Sequence, residues 1–146
     1  MRTREGTALA NDLLKNSKVI KRVHGQITRR MPKVVKAYHA NLARRVEELI
    51  GRGSLSEGDL AREVALIADR LDVSEELSRL DAHLEQLAEL LEKGGAIGRK
   101  LDFLSQEFFR EANTIGSKCN DATVSHHVVD LKTHIERMRE QVQNVE

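Results

Sequence analysis

Residues 9–49 read LANDLLKNSKVIKRVHGQITRRMPKVVKAYHANLARRVEEL. Apolar side chains recur in this segment at steps of three and four residues, with lysine and arginine between them. That period is typical of an amphipathic α-helix, and at about 1.5 Å per residue it predicts a rod roughly 60 Å long. Pro32 has no amide hydrogen and crowds the preceding turn, so we expect a kink or a restart near Met31.

Turn and capping residues divide the remainder of the chain into four shorter helices. Ser56 can cap the second helix through its hydroxyl oxygen. Asp72, followed three residues later by Glu75, has the form of a capping box and would open the third helix. The fourth and fifth helices are predicted to begin near Gly98 and Ala122.

Two glycine-containing segments, residues 51–54 and 94–95, are typical of helix ends. Short connections favour antiparallel neighbours. The predicted fold class is therefore all-α, with long antiparallel helices in a helical bundle of coiled-coil-like arrangement. We divide the chain into a long basic helical arm, residues 1–50, and a helical bundle, residues 51–146, which together form one structural domain.

Composition restricts the class of protein. The 146 residues are 40% apolar and 32% charged, which is enough for one core and leaves no run near the ~18 apolar residues of a membrane span. No apolar stretch follows the N-terminus as in a signal peptide. Cys119 is the single cysteine, so no disulfide can form within the chain, as suits a reducing compartment. We expect a soluble cytoplasmic protein without a membrane partner.

Charge is unevenly distributed along the chain. Residues 1–50 hold twelve Lys/Arg and four Asp/Glu and sum to +8, whereas residues 51–95 hold five and eleven and sum to −6. Residues 96–146 hold seven and eight and sum to −1. Either the basic first third pairs with the acidic middle of the same chain, or the two segments offer separate faces to an anionic partner and to metal ions.

Two carboxylate pairs are candidates for chemistry. Glu107 and Glu111 lie one turn apart on the fourth helix, and Glu136 and Glu140 do so on the fifth, so each pair shares one helix face. If the two helices pack together, four carboxylates can converge and bind a divalent cation through oxygen ligands. Solvated faces, salt-bridged by the arginines that alternate with these glutamates, explain the same spacing.

Histidines offer two further candidates. His127, Asp130 and His134 follow one stripe of the fifth helix, as metal ligands would, although imidazoles two turns apart need a ligand from another element to share one ion. His83 follows Arg79 by one turn on the third helix. A histidine there can act as a general acid or base, or it can be a hydrogen-bonded core residue.

Three long strings resemble the YicC family of bacterial proteins. They are GRKLDFLSQEFFREANTIGSK at residues 98–118, LKTHIERMREQVQNVE at residues 131–146 and ADRLDVSEELSRLDAH at residues 68–83. The segment RTREG, residues 2–6, looks like the Arg-rich lead-in to the same region. The resemblance covers essentially the whole chain but only the C-terminal half of a family member, so we expect the family's N-terminal domain to be absent here.

The resemblance implies an endoribonuclease that cuts single-stranded RNA with a divalent metal ion and assembles as a homo-oligomer. The family pattern does not require histidine at the positions that the histidines of the fifth helix occupy. The polar residues that match inside the family-like strings include Arg79, His83, Asp102, Gln106, Glu107, Arg110, Glu111, Asn113, Lys118, Glu136, Arg139, Glu140 and Gln143.

No catalytic role is transferred by the resemblance, so we assign roles by chemistry. Glu107, Glu111 and Glu140 are predicted to hold Mg²⁺ or Mn²⁺, with Glu136 in support, and His83 is predicted to move a proton. These five residues make up the predicted catalytic set. The predicted RNA-binding residues, which contact phosphate, are Lys21, Arg22, Arg29, Arg30, Arg110, Lys118 and Arg139.

Two non-catalytic alternatives remain at this point. A helical module can bind RNA or hold partners together while another domain performs the chemistry. A purely structural coiled-coil oligomeriser would have no affinity for RNA. Only four aromatic residues are available for stacking on bases, so we expect RNA binding to depend more on phosphate charge than on sequence.

Overall fold

The computed structural model describes residues 2–51, 56–95 and 98–145. These residues form five helices and no strand. The helices are α1 (Arg2–Ile50), α2 (Glu57–Leu71), α3 (Ser74–Lys93), α4 (Gly98–Lys118) and α5 (Ala122–Val145). The all-α prediction is confirmed. No helix in the described ranges is both long and apolar enough to cross a membrane.

The first helix continues through its proline. Pro32 lies inside the 49-residue helix α1, so the expected restart near Met31 does not occur, while a bend at this position stays a prediction. Proline removes one backbone hydrogen bond, but Ile27 and Val34, which flank it, are both buried. Packing on either side therefore holds the two halves in one helix.

The predicted glycine ends fit the observed helix ends. Gly51, Gly94 and Gly95 have φ angles of +85°, +67° and +86°, a backbone region that costs glycine little. The other residues predicted to end the first helix, Arg52, Gly53 and Ser54, lie outside the described residues. Ser56 caps α2 as predicted, because its hydroxyl oxygen accepts from the Asp59 amide at 3.1 Å.

The predicted capping box at the start of α3 is wrong. Val73, which has no side-chain cap, occupies the N-cap position. The Asp72 carboxylate accepts instead from the amide of Ser74 at 2.9 Å and from its hydroxyl. This local turn satisfies the aspartate before the helix begins, so Glu75 has no cap to reciprocate.

Helix packing produces an antiparallel bundle. Helix α5 packs against both α1 and α4, α3 packs against α4 and α1, and α2 packs against α1. In the α3–α4 pair, Glu76 contacts Lys118 and His83 lies opposite Glu107, so the two helices run in opposite directions. Helices α1 and α5 are antiparallel as well, because Asn16 contacts His134 whereas Arg30, further along α1, contacts Asp121 just before α5.

One core is shared by the helices. Helix α1 contributes buried side chains between Leu13 and Val34, whereas residues 35–48 are half-buried or exposed. The other core residues are Leu71, Val73, Leu77, Leu80, Leu84, Leu87, Leu101, Leu104, Phe108, Ala112, Ile115, Cys119, Val124, Val128, Leu131, Ile135, Met138 and Val142. Leucine, isoleucine and valine thus build the interior, and Phe108 is the one buried aromatic side chain within the described ranges.

Candidate metal centre

The interface between α3 and α4 brings three potential ligands together. One ligand atom each from His83, Glu107 and Glu111 lies within 4.8 Å of the others. Among the described residues this is the one group of three or more His, Cys, Asp or Glu side chains that meets such a limit. Glu107 and Glu111 share a face of α4 because they are one turn apart, and α3 supplies the imidazole.

His83 presents a nitrogen without a hydrogen bond to this group. Its Nε2 atom is buried and unpartnered within the described part of the chain, and it lies 3.9 Å from a carboxylate oxygen of Glu107. The other ring nitrogen lies 3.5 Å from the Gln86 side-chain oxygen. The ring also meets Phe108 edge-on, with the centroids 6.0 Å apart. These contacts fix the plane of the imidazole and leave Nε2 facing the carboxylates.

Glu111 is a buried carboxylate that is held by an ionic network. Its side chain is only 4% exposed, and its Oε1 atom accepts from Arg79 Nε at 3.0 Å. Arg79 also approaches Glu76 Oε1 at 3.4 Å, and Lys118 Nζ donates to that same oxygen at 2.7 Å. The hydrogen bond to Glu111 raises the pKa of Arg79, so the guanidinium remains charged beside the candidate ligands.

Glu76 is ionised despite its burial. Burial by itself raises the pKa of Glu76, but the hydrogen bond from Lys118 and the charges of Lys118 and Arg79 outweigh it and hold the pKa below its ordinary value. Sequence reasoning missed this residue. Its spacing of three residues before Arg79 on one helix was the available signal, and nothing in the sequence marks it as buried.

The donor atoms suit a divalent cation that accepts both oxygen and nitrogen ligands. Two carboxylates supply oxygen, and the unpartnered imidazole nitrogen supplies a ligand that Mg²⁺ rarely takes and Mn²⁺, Fe²⁺ and Zn²⁺ accept. Counting the groups that these contacts join, Glu75, Glu76, Glu107 and Glu111 give four negative charges against two from Arg79 and Lys118. The excess negative charge favours a bound cation. His83, Glu107 and Glu111 would be its protein ligands.

Comparison with known proteins identifies the family of this chain. The family model described as "Endoribonuclease YicC-like, C-terminal" matches residues 27–146. The chain belongs to this family. It is 41% identical over 147 aligned residues to the "Probable endoribonuclease YicC" of Clostridioides difficile, covering the whole chain and 50% of that relative. It is 52% identical over 85 residues to the Haemophilus influenzae protein of the same name, covering 58% of the chain and 30% of the relative.

The chain therefore spans about half the length of the first of these YicC-like relatives and a smaller share of the second. All three members of the α3–α4 group lie inside the segment matched by the family model. The Glu76–Arg79 network lies inside it as well. The basic first half of α1 precedes it, since the match begins at Ile27.

The second predicted carboxylate pair lies elsewhere. Glu136 and Glu140 are exposed on α5 and line a groove beside Phe109. Neither belongs to the group that contains Glu107 and Glu111. The structure thus brings His83, rather than Glu140, to the α4 carboxylates. The alternative histidine stripe does not assemble among the described residues either, and His134 Nδ1 lies 3.0 Å from the Asn16 side-chain oxygen.

The predicted RNA-binding cations divide into engaged and free groups. Arg30 makes a two-pronged contact with Asp121, at 3.1 and 3.2 Å, and Lys118 is bonded to Glu76. Arg139 Nε lies 3.6 Å from an Asp102 oxygen. The remaining four are exposed and have no carboxylate within 4.0 Å among the described residues. They are Lys21, Arg22, Arg29 and Arg110.

A polar groove follows the interface between α4 and α5. Helix α4 contributes Gln106, Phe109, Arg110, Asn113 and Thr114, and α5 contributes Glu136 and Arg139. Phe109 and Glu136 also line the adjoining groove on α5, together with Lys132, Thr133, Arg137 and Glu140. We call these two connected depressions the α4–α5 groove. It offers guanidinium groups, amides and one half-buried aromatic ring.

Proposed function

We propose that this chain belongs to a metal-dependent endoribonuclease that cuts single-stranded RNA. The observation that carries the proposal is the convergence of His83, Glu107 and Glu111 within 4.8 Å, in a family whose curated relatives are named probable endoribonucleases. A bound divalent cation supplies Lewis acidity and lowers the pKa of a coordinated water. That chemistry matches the demands of phosphodiester hydrolysis.

The ligand set favours Mn²⁺ over Mg²⁺. Mg²⁺ prefers six oxygen ligands and retains several waters, whereas an imidazole nitrogen is acceptable to Mn²⁺ and its heavier neighbours. His83 is best explained as a ligand, because its unpartnered Nε2 faces Glu107. A nitrogen that binds a cation cannot also carry a proton, so this assignment replaces the proton-transfer role that the sequence suggested.

Side chains around the ion would orient it and the RNA. Arg79 holds one oxygen of Glu111 and leaves the second oxygen for the cation. Arg110 lies on the next face of α4, three residues after Glu107, a rise of about 4.5 Å. Its free guanidinium can bind a phosphate in two-pronged fashion, which would bring the RNA backbone beside the carboxylates.

Two surfaces are suited to holding the RNA strand. Lys21, Arg22 and Arg29 are exposed cations on α1, and phosphate binding there would release counterions. The α4–α5 groove adds Phe109, on which a base can stack. Replacing Phe109 by Leu keeps an apolar side chain but removes the ring, so we expect weaker binding of a short oligouridine by about fivefold or more, measured by fluorescence anisotropy in EDTA.

A cleavage assay with matched variants tests the proposal. The substrate is a fluorescent single-stranded RNA, compared with a duplex of the same sequence, in Mn²⁺ and in EDTA. Glu107→Gln is expected to abolish cleavage. Glu140→Gln removes the same charge outside the group and is expected to retain it. Loss of cleavage in Glu140→Gln with full activity in Glu107→Gln would reject the α3–α4 site in favour of one on α5.

The rival function is a non-catalytic RNA-binding module, which the free cations of α1 and the α4–α5 groove also favour. It predicts binding without Mn²⁺-dependent cleavage in the parental chain.

We further propose a homo-oligomer, as the family resemblance implies. Phe103 and Val129, each 60% exposed, are apolar surfaces that a second copy can cover. A light-scattering mass equal to one chain at micromolar concentration would contradict the oligomer.

A further inference from the structure

Glu76 is an unusual residue for the interior of this bundle. It lies in the first turn of α3 with only 2% of its surface exposed. Burying a leucine there would cost less free energy, because an ionised carboxylate loses its hydration on burial. One oxygen receives Lys118 at 2.7 Å and approaches Arg79 at 3.4 Å. The other oxygen is buried without a hydrogen-bond partner among the described residues. The burial of this carboxylate therefore requires an explanation.

Arg79 connects this buried charge to the candidate metal centre. Its NH2 atom faces Glu76, and its Nε donates to Glu111 at 3.0 Å. A guanidinium is planar, with its donors in a fixed fork. When one prong is anchored on Glu76, the direction of the other is set. The chain of contacts from Lys118 through Glu76 and Arg79 therefore ends on a predicted metal ligand.

We propose that Glu76 is a positioning residue for the α3–α4 metal centre, acting through Arg79 on Glu111. This inference rests on the proposed function only in taking Glu111 as a metal ligand. Arg79 occupies Oε1 of Glu111 and thereby directs the remaining oxygen. Without Glu76, the arginine is free to leave Glu111, whose carboxylate then rotates. Partners of this kind, one step behind the ligands, typically change metal affinity by about 10- to 100-fold when removed.

A simpler role for Glu76 is support of α3 alone, since acidic residues in the first turn interact favourably with the helix dipole. The adjacent Glu75 separates the two explanations. It lies in the same turn and also approaches Arg79, at 3.7 Å, but its side chain is 81% exposed. Removing its charge perturbs the dipole interaction comparably, while the buried anchor of the guanidinium stays in place.

The test measures Mn²⁺ binding in the absence of RNA at 15 °C. Binding is monitored through the decrease of the electron paramagnetic resonance signal of free Mn²⁺. Glu76→Gln is expected to weaken binding by about tenfold or more, and Glu75→Gln by less than about threefold. Arg79→Lys keeps the charge but lacks the fork, so it is expected to weaken binding as Glu76→Gln does. Melting temperatures of all variants establish that each is folded at the temperature of the titration.

The outcomes separate this inference from the proposed function. If Glu107→Gln abolishes Mn²⁺ binding while Glu76→Gln and Arg79→Lys bind as tightly as Glu75→Gln, the positioning role is overturned and the metal centre stands. If the parental chain binds no Mn²⁺, or Glu107→Gln binds it as well as the parent, the metal centre itself fails. Should Glu76→Gln not fold, Glu76→Asp replaces it. Aspartate keeps the charge but is too short to reach Arg79 from the same position, so it is expected to weaken Mn²⁺ binding as well, and binding as tight as in Glu75→Gln overturns the positioning role.

Discussion

Replacing Arg30 by Gln is expected to lower the thermal stability of the protein, whereas the same change at Arg29 is expected to lower RNA affinity. The two arginines are adjacent, but Arg30 contacts Asp121 through both Nε and NH2 and joins α1 to the start of α5. Arg29 is exposed and has no carboxylate within 4.0 Å among the described residues. One charge is therefore used inside the fold, and the other is available to a partner.

The magnitude follows from the two roles of Asp121. Its carboxylate accepts from the Val124 amide at 3.1 Å, capping α5, and it also receives Arg30. Losing an aspartate cap costs about 1 kcal/mol, and a partly exposed ion pair adds up to about 1 kcal/mol. Asp121→Ala should thus cost about 2 kcal/mol, or roughly 4–8 °C for a chain of this size. Asp121→Asn keeps a good cap and should lose about half of that.

Thermal unfolding by circular dichroism measures these differences, and fluorescence anisotropy measures RNA binding of the same variants. Arg30→Gln should lower the melting temperature in the range of Asp121→Asn, and the double variant should be no worse than either single one. Arg29→Gln should retain the parental melting temperature and show a flatter salt dependence of binding. Parental stability of Arg30→Gln, or additive losses in the double variant, would refute the assignment.

Three further measurements follow from the perturbed groups. The hydrogen bond from Arg30 holds the pKa of Asp121 below its ordinary value, so its contribution is present above about pH 3.9 and lost as the pH falls further; the stability gap between parent and Asp121→Asn should close in acid titrations. Burial, followed by the charge of Arg137, lowers the pKa of His134. The folded protein therefore favours the neutral imidazole, and its free energy of unfolding should decrease as the pH falls below about 6.5. This decrease should be smaller in His134→Gln. Burial raises the pKa of the Cys119 thiol, so Ellman's reagent should react slowly with the native chain and rapidly in urea.

The helices themselves were largely predictable, because apolar spacing and capping chemistry are local. The expected starts near Gly98 and Ala122 coincide with those of α4 and α5, and Ser56 caps α2. Local reasoning failed where packing outweighs it. Pro32 marks a helix break by its chemistry, yet buried side chains on both sides of it keep α1 continuous.

The function of individual cations was less predictable, because ion pairs join residues far apart in sequence. Arg30 and Asp121 are separated by 91 residues, and Glu76 and Lys118 by 42. A run of lysine and arginine shows only that positive charge is present. Which members of the run are already bonded inside the protein depends on the pairing of helices, and that information is absent from the local pattern.

The carboxylate partners of α4 illustrate the same limit in geometric terms. With about 100° per residue and Phe108 taken as the centre of the buried stripe, Glu107, Glu111 and Lys118 fall on one flank of the helix. Asp102, Phe109 and Gly116 fall on the other, where Asp102 meets Arg139 of α5 and Gly116 lies against Val128.

The spacing of Glu107 and Glu111 therefore predicts a shared face and excludes α5 once α5 is known to cover the opposite flank. Sequence alone does not say which neighbour covers which flank, so the glutamates of α5 and the histidine of α3 were equally good partners. The α3–α4 contacts, with His83 opposite Glu107 and Arg79 opposite Glu111, decide between them. They make His83 the third member of the group because of how the helices are arranged, whatever its spacing from the glutamates along the chain.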